Sequence, residues 1–167
     1  MTSSSEKKSA TKKQVYAAHT PIVHTHAALE NSSALLETMM VSIRHEQKRV
    51  RAGDFSGYQT TMTSVLSNNK SVASFLRHVT AELPRAPLAD AFTASTKIEQ
   101  LIRHEPLDFL HKVVEPLIAI FSFLFPAQKS HEKKEHKIMI LSQVYQQAEI
   151  IMHAIERVKK EISNNNK

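Results

Sequence analysis

The sequence predicts an all-α fold: an antiparallel up-down helical bundle of four long layers, built from five to six helices. Only two of the 167 residues are glycine, Gly53 and Gly57, and both lie in one short stretch. Most of the six prolines stand between runs in which apolar residues recur every three or four positions. Because glycine and proline mark turns and helix ends, this placement indicates long helices joined by short connections.

The first long helix is predicted to begin at Thr20, a good N-cap, with Pro21 in the first helical position. A short helical segment is expected just before it, at 14–19. Gly53 is expected to end the long helix as its C-cap. The 4-3 spacing of the predicted buried seam runs through Ile22, His26, Leu29, Ser33, Leu36, Met40, Ile43, Gln47 and Val50.

The second helix is expected to be capped by Asp54 and stopped by Pro84. Its predicted seam is Tyr58, Met62, Val65, Asn69, Val72, Leu76, Val79 and Leu83. The third layer carries apolar spacing at Leu88, Phe92, Ser95, Ile98 and Ile102. This third layer is predicted to be broken at Pro106 and kinked at Pro116, and to close at Pro126.

The last helix is predicted from a cap at Ser130 to about Ser163 and carries two apolar stripes. The first stripe is Ile138, Leu141, Tyr145, Ala148, Met152, Ile155 and Ile162. The second, offset stripe is Ile140, Val144, Ile151, Ala154 and Val158. A face this wide predicts contact with two neighbouring helices, or with one neighbour and a partner.

Domain organisation follows from composition. Residues 1–12 are mostly Ser, Thr and Lys and predict a disordered basic tail, followed by one helical domain over 13–163 and a second disordered tail at 164–167. The absence of cysteine excludes disulfides and thiolate chemistry. No secretory signal and no apolar run long enough to span a bilayer is visible, which predicts a soluble cytoplasmic protein or export by a route that needs no N-terminal signal.

The net charge of +6 does not by itself predict nucleic-acid binding. Aromatic residues make up 6% of the chain and do not alternate with the basic ones, so the pattern disfavours nucleic acid as a partner. With two glycines, neither a Walker loop nor a Rossmann turn can be built. The sequence therefore predicts a protein that is not an enzyme and needs no cofactor.

Ten histidines raise the question of metal binding. The best pair is His78 and Glu82, four residues apart on one helical face, and it is a weak candidate. A di-metal site in a bundle needs Glu-x-x-His pairs on two helices, and no histidine here has glutamate three residues before it. We expect structural or surface roles for the histidines.

A sharper pattern is Arg44-His45-Glu46-Gln47-Lys48, in which His45 is expected to face solvent. Glu46 could orient the imidazole and Lys48 could stabilise a phosphoryl group on it. The stretch resembles the H-box of histidine-kinase dimerisation bundles and is similar to phosphotransfer bundles, although it lacks their proline and glycine. The resemblance implies a phosphorelay function as an alternative.

The run from Leu117 to Phe125 is apolar on every side of a helix, which predicts burial on every side or contact with a partner. The predicted function is that of a non-catalytic helical adaptor or regulator, acting by protein–protein interaction, as a homodimer or as a bacterial effector. Shallow insertion of the Phe121–Phe125 helix into a membrane surface is a further alternative. The predicted contact residues are Leu117, Ile120, Phe121, Phe123, Leu124, Phe125, Ile140, Val144 and Ile151.

Overall fold

The computed structural model describes the backbone of residues 4–84, 86–103 and 126–165, and the side chains of 24–84, 86–103, 131 and 133–164. The helices in this part of the chain are α1 (Ser4–Arg51), α2 (Tyr58–Glu82), α3 (Ala89–Arg103) and α4 (Pro126–Asn165). The described residues form no β-strand, which confirms the all-α class. Four helices stand where five to six were predicted, and the helix expected after Pro106 lies outside the described residues.

Helix α1 is longer than the sequence indicated. It begins at Ser4 and continues through Thr20 and Pro21, so the predicted start at Thr20 is wrong and the expected segment at 14–19 is part of α1. Most of the segment predicted as a disordered tail, 1–12, is likewise inside the helix. Residues 4–19 contain four lysines and three alanines, which favour a helix, whereas the cap signal at Thr20 is only a local preference.

Helix α4 also begins earlier than predicted. Pro126, expected to close the preceding segment, is its first residue, and Ser130 lies inside the helix instead of capping it. Proline is well suited to a first helical position because its missing N–H has no partner there in any case. The same residue type can therefore end one helix or begin the next.

Each helix contacts two others. Helix α1 packs against α2 and α4, and α3 packs against α2 and α4. Helices α1 and α4 run in opposite directions, because Lys159 Nζ donates to Ser33 Oγ (2.9 Å) whereas Gln47 Nε2 donates to Ser142 Oγ (3.1 Å). The core thus lies among all four helices.

The buried face of α1 is shifted from the predicted one. The two share Leu29, Ser33, Leu36, Ile43 and Val50. The structure also buries Thr25, Ser32, Met39 and Glu46, whereas the prediction had placed His26, Met40 and Gln47 on the seam. Ile22 lies outside the described side chains. His26 is exposed. The 4-3 spacing predicts the centre of the buried face. Which residues on either side of that centre are also buried depends on where the neighbouring helices pack.

The predicted seam of α2 is confirmed at all positions from Tyr58 to Val79, which are buried. Its one polar member, Asn69, is 1% exposed and donates from Nδ2 to the backbone carbonyl of Ser95 on α3 (3.0 Å). Ser95 is itself buried, as its seam position predicted. This hydrogen bond fixes the register of α2 against α3.

Helix α4 uses both stripes inside the molecule, since it contacts α1 and α3. Of the two alternatives for its wide face, two neighbouring helices is the one observed. Ile140, Val144 and Ile151, predicted to bind a partner, are 4%, 0% and 0% exposed. The structure therefore places Val144 and Ile151 in the core of the chain itself rather than on a contact surface, and Ile140 at the edge of the core.

None of the helices in the described residues combines the length and the apolar character needed to cross a bilayer.

Candidate functional site

The turn between α1 and α2 uses both glycines. Gly53 has φ of 85°, the left-handed region that favours glycine. Its N–H donates to the Val50 carbonyl (3.0 Å), and the N–H of Asp54 donates to the Arg49 carbonyl (2.9 Å), which together form a Schellman motif. The predicted C-cap at Gly53 is confirmed.

The side chains of Arg49 and Asp54 bridge the same turn. Arg49 Nε and Nη2 donate to Asp54 Oδ2 at 2.8 and 2.6 Å, and Arg49 Nη2 also donates to Ser56 Oγ at 2.7 Å. Asp54 was expected to cap α2, but α2 is preceded by Gly57 with no side-chain cap. Asp54 Oδ1 accepts instead from the N–H of Ser56 (3.0 Å), two residues on, because a short Asx turn satisfies it locally.

These hydrogen bonds shift both ionisable groups. The N–H of Ser56, then the Arg49 side chain and the Ser56 hydroxyl, lower the pKa of Asp54 from 3.8 to about 2. The hydrogen bond to Asp54 raises the pKa of Arg49. Both groups stay charged throughout the physiological range, so the bridge is permanent there.

We expect the Asp54 bridge to stabilise the fold above about pH 4 and to be lost as the pH falls toward 2. The pKa of Asp54 is lower in the folded state than the 3.8 of the free side chain, so unfolding takes up a proton in this window. Urea unfolding of the wild type and of Asp54→Asn should therefore differ most above pH 4 and converge toward pH 2. The matched control is Asp90→Asn, whose contact to Arg157 is longer (3.6 Å). A difference that stays constant with pH would contradict the assignment.

A nearly buried carboxylate lies beneath this turn. Glu46 is 1% exposed, and its Oε2 accepts from Thr61 Oγ1 on α2 (3.2 Å) and from Arg49 Nη1 (3.4 Å). Its Oε1 is buried and makes no hydrogen bond. A Cβ on Gly57 would stand 2.0 Å from Arg49 Nη1 and 3.1 Å from Glu46 Oε2, so the second glycine makes room for this pair. Glu46 thereby places negative charge at the start of α2, the positive end of the helix dipole.

This geometry bears on one residue of the phosphorelay hypothesis. His45 is exposed on α1, as predicted, and Lys48 is also exposed, but Glu46 points toward α2. Successive helical residues are about 100° apart around the axis, so a side chain directed at α2 does not orient the ring of His45. The orienting role predicted for Glu46 is therefore not supported, and the phosphorelay alternative stays a prediction.

The other predicted site residues fall into two groups: the metal candidates, which the structure describes, and the contact residues of 117–125, which it does not. His78 and Glu82 are both exposed on α2, and the described residues contain no group of three or more His, Asp or Glu side chains that could hold a metal ion. The predicted contact residues Leu117, Ile120, Phe121, Phe123, Leu124 and Phe125 lie outside the described residues.

A surface groove of about 540 Å³ runs between α3 and α4. Its apolar lining is Leu101, Met139 and Ile140. Its polar lining is Lys97, Gln100, His136, Gln143, Gln146 and Gln147. The mixture of an apolar patch with amide groups resembles the core and rim of a protein interface more than a catalytic cleft.

Two further observations mark this groove. His136 Nε2 is buried without a hydrogen bond. Met139 and Ile150 are 48% and 38% exposed, and they share one outward row of α4 with Gln143 and Gln146. Together with Val41 on α1, these are the large apolar side chains that the described residues expose. The groove and the row beside it form one continuous surface.

No family model, no curated protein and no solved structure matches this chain.

Proposed function

We propose that this chain is a non-catalytic helical adaptor or regulator that binds an amphipathic helix of another protein in the α3–α4 groove. The observation that carries the proposal is the joint presence of an apolar patch, a row of amides and exposed Met139 and Ile150 on one surface. An amphipathic helix docks by placing residues spaced three and four apart into such a groove. Glutamine rims suit it because each amide both donates and accepts.

The dimensions and charge of the groove define the partner further. Its lining spans His136 to Gln147 on α4, twelve residues with a total rise of about 16 Å, which matches about three turns of a partner helix. Lys97 is an exposed cation on its rim. His136 Nε2 lacks a hydrogen bond. The partner helix is therefore expected to carry an acidic residue facing Lys97.

The architecture proposed with this function is the antiparallel up-down bundle of four layers. The opposite directions of α1 and α4 and the short α1–α2 turn support it. The apolar run 117–125 remains, on sequence grounds, the second half of the proposed interface. Val144 and Ile151 are no longer part of it, because their side chains are buried, whereas Ile140 lines the groove.

The proposal is tested with a photo-reactive amino acid at Gln143, in the groove, and at Ser74, on the exposed face of α2. A protein cross-linked from position 143 and not from 74 is purified and its affinity measured. We expect Met139→Lys to weaken that complex about tenfold or more, because it places a charge on the apolar patch. Phe123→Asp should also weaken it, with the helical circular dichroism retained.

Other occupants of the groove give different results. A cross-link to a second copy of this chain would replace the heterologous partner by a homodimer. A cross-link within one chain to residues 104–125 would show that the groove is filled by the protein itself. Either outcome would overturn the proposal.

A further inference from the structure

Two basic clusters that are far apart in the sequence meet at one end of the molecule. The contact of Gln47 with Ser142 aligns the antiparallel helices, so residues before Ser142 in α4 lie level with the end of α1. Lys137 Nζ stands 3.5 Å from the ring centroid of Tyr58 at the start of α2, which places it beside the α1–α2 turn. We call this region the basic end. Its cations are Arg44, Lys48 and Arg51 on α1 and Lys133, Lys134 and Lys137 on α4.

The carboxylates described at the basic end are fewer than its cations. Glu46 and Asp54 both pair with Arg49, and Glu135 is exposed. The ion pairs among the described residues involve none of Arg44, Lys48, Arg51, Lys133 and Lys134.

The described side chains near the other end of α4 form ion pairs. There Lys159 Nζ lies 3.1 Å from Glu30 and 3.2 Å from Glu156, and Arg157 lies 3.6 Å from Asp90. Among the described residues, ion pairs thus involve Lys159 and Arg157 in this region and Arg49 at the basic end.

We propose that the basic end binds a membrane surface that carries anionic lipid headgroups. Packed helices lie about 8–10 Å apart, close to the Debye length of about 8 Å at physiological salt, so the two clusters act together on a charged surface. Val41 is 66% exposed and shares the outward row of α1 with Arg44, His45 and Lys48. A basic row with an exposed apolar side chain suits the headgroup region of a bilayer.

Other features favour lipid over nucleic acid. Tyr58 is 2% exposed, Phe55 in the turn is half-buried against the core, and Tyr145 lies half-buried under Arg44, whose Cζ is 4.8 Å from its ring centroid. None of these described rings is fully exposed for a base to stack on. In sequence, the apolar run ends at Phe125, directly before the first residue of α4, Pro126. The chain therefore enters α4, which carries half of the basic end, directly from an apolar run.

The test is co-sedimentation of the full chain with vesicles of phosphatidylcholine alone and of phosphatidylcholine with phosphatidylserine. We expect binding to the anionic vesicles only, and its loss near 1 M salt, where the Debye length is about 3 Å. Each cation near the surface contributes about fivefold in affinity, so Lys48→Gln/Arg51→Gln/Lys133→Gln should lower partitioning about 100-fold.

The matched control is Lys70→Gln/Arg77→Gln/Lys160→Gln, which removes the same charge from exposed positions outside the basic end. It should lower partitioning far less. Equal loss in both triple variants, or equal binding to neutral vesicles, would overturn the proposal. Displacement of the protein from anionic vesicles by an equal charge of duplex DNA or RNA would also overturn it and assign the surface to nucleic acid.

Discussion

The Ile151→Ala variant is expected to lose about 2–5 kcal/mol of unfolding free energy, the usual cost of removing a large aliphatic side chain from a packed core. Ile151 is 0% exposed. Its stripe is buried where α4 packs between α1 and α3. The cavity cannot close easily because it is bounded by more than one helix. Urea unfolding followed by circular dichroism measures the loss.

The adjacent residue provides a matched control. Ile150 has the same side chain but is 38% exposed, so Ile150→Ala should cost less than about 1 kcal/mol. Comparing the two variants also tests whether Ile151 belongs to the core or to a partner-binding surface. If Ile151 belonged to a partner surface, Ile151→Ala would leave the stability of the free protein nearly unchanged, and a small loss equal to that of Ile150→Ala would contradict the structure.

Helix α2 is the part of the fold that the sequence predicted best. Its seam alternates apolar residues at 3 and 4 with one polar exception, and every member from Tyr58 to Val79 is buried. The exception, Asn69, is satisfied by the Ser95 carbonyl, and Ser95 was the polar member of the α3 pattern. The sequence thus predicted that both residues are buried, whereas the hydrogen bond between them appears only in the structure.

Helix α1 shows the limit of periodicity. Its shared seam positions leave two ways to complete the buried face, and the sequence favoured the side with Met40 and Gln47 over that with Met39 and Glu46. A glutamate is normally assigned to solvent. Burial of Glu46 depends on Thr61 in α2 and on the absence of a Cβ at Gly57 in the turn before it. Neither residue belongs to the helix that carries Glu46. The second glycine was the available signal.

Helix ends were predicted less well than helix faces. Thr20 and Ser130 each carry a valid cap preference, worth about 1 kcal/mol, yet both lie inside helices. Asp54 prefers the nearby N–H of Ser56 to the first turn of α2. A capping residue shows only that a helix end would be favourable at that position. Whether the helix ends there depends on the helical preference and the packing of the residues around it.

The groove and the basic end arise only from the association of helices. Leu101 and Met139 are separated by 38 positions in the chain, and Lys48 and Lys133 by 85. No spacing rule connects them, because neither pair belongs to one element. The sequence did contain one part of each surface: the basic last turn of α1, which belongs to the basic end, and the wide apolar face of α4, which lies beside the groove. The structure shows how α4 is aligned with its neighbouring helices, and this alignment decides which residues each surface contains.

The Tyr58→Ala variant is expected to be the most damaging single change near the α1–α2 turn, costing about 3–5 kcal/mol by comparison with other buried aromatic residues. Tyr58 is 2% exposed and is the first residue of α2. Its ring also lies under Lys137 of α4, with Nζ 3.5 Å from the ring centroid. One side chain thus connects the turn, the core and a third helix.

Conservative variants separate these contributions. Tyr58→Phe keeps the buried ring and its π face, so it should cost far less than Tyr58→Ala, about 1 kcal/mol or below. Tyr58→Leu keeps apolar volume but removes the π face, which a cation over an aromatic ring needs. In a double-mutant cycle of Tyr58→Leu with Lys137→Met, we expect a coupling of about 0.5–2 kcal/mol. A coupling of zero would mean that Lys137 contributes nothing through the ring, and the loss in Tyr58→Ala would then be due to core packing alone.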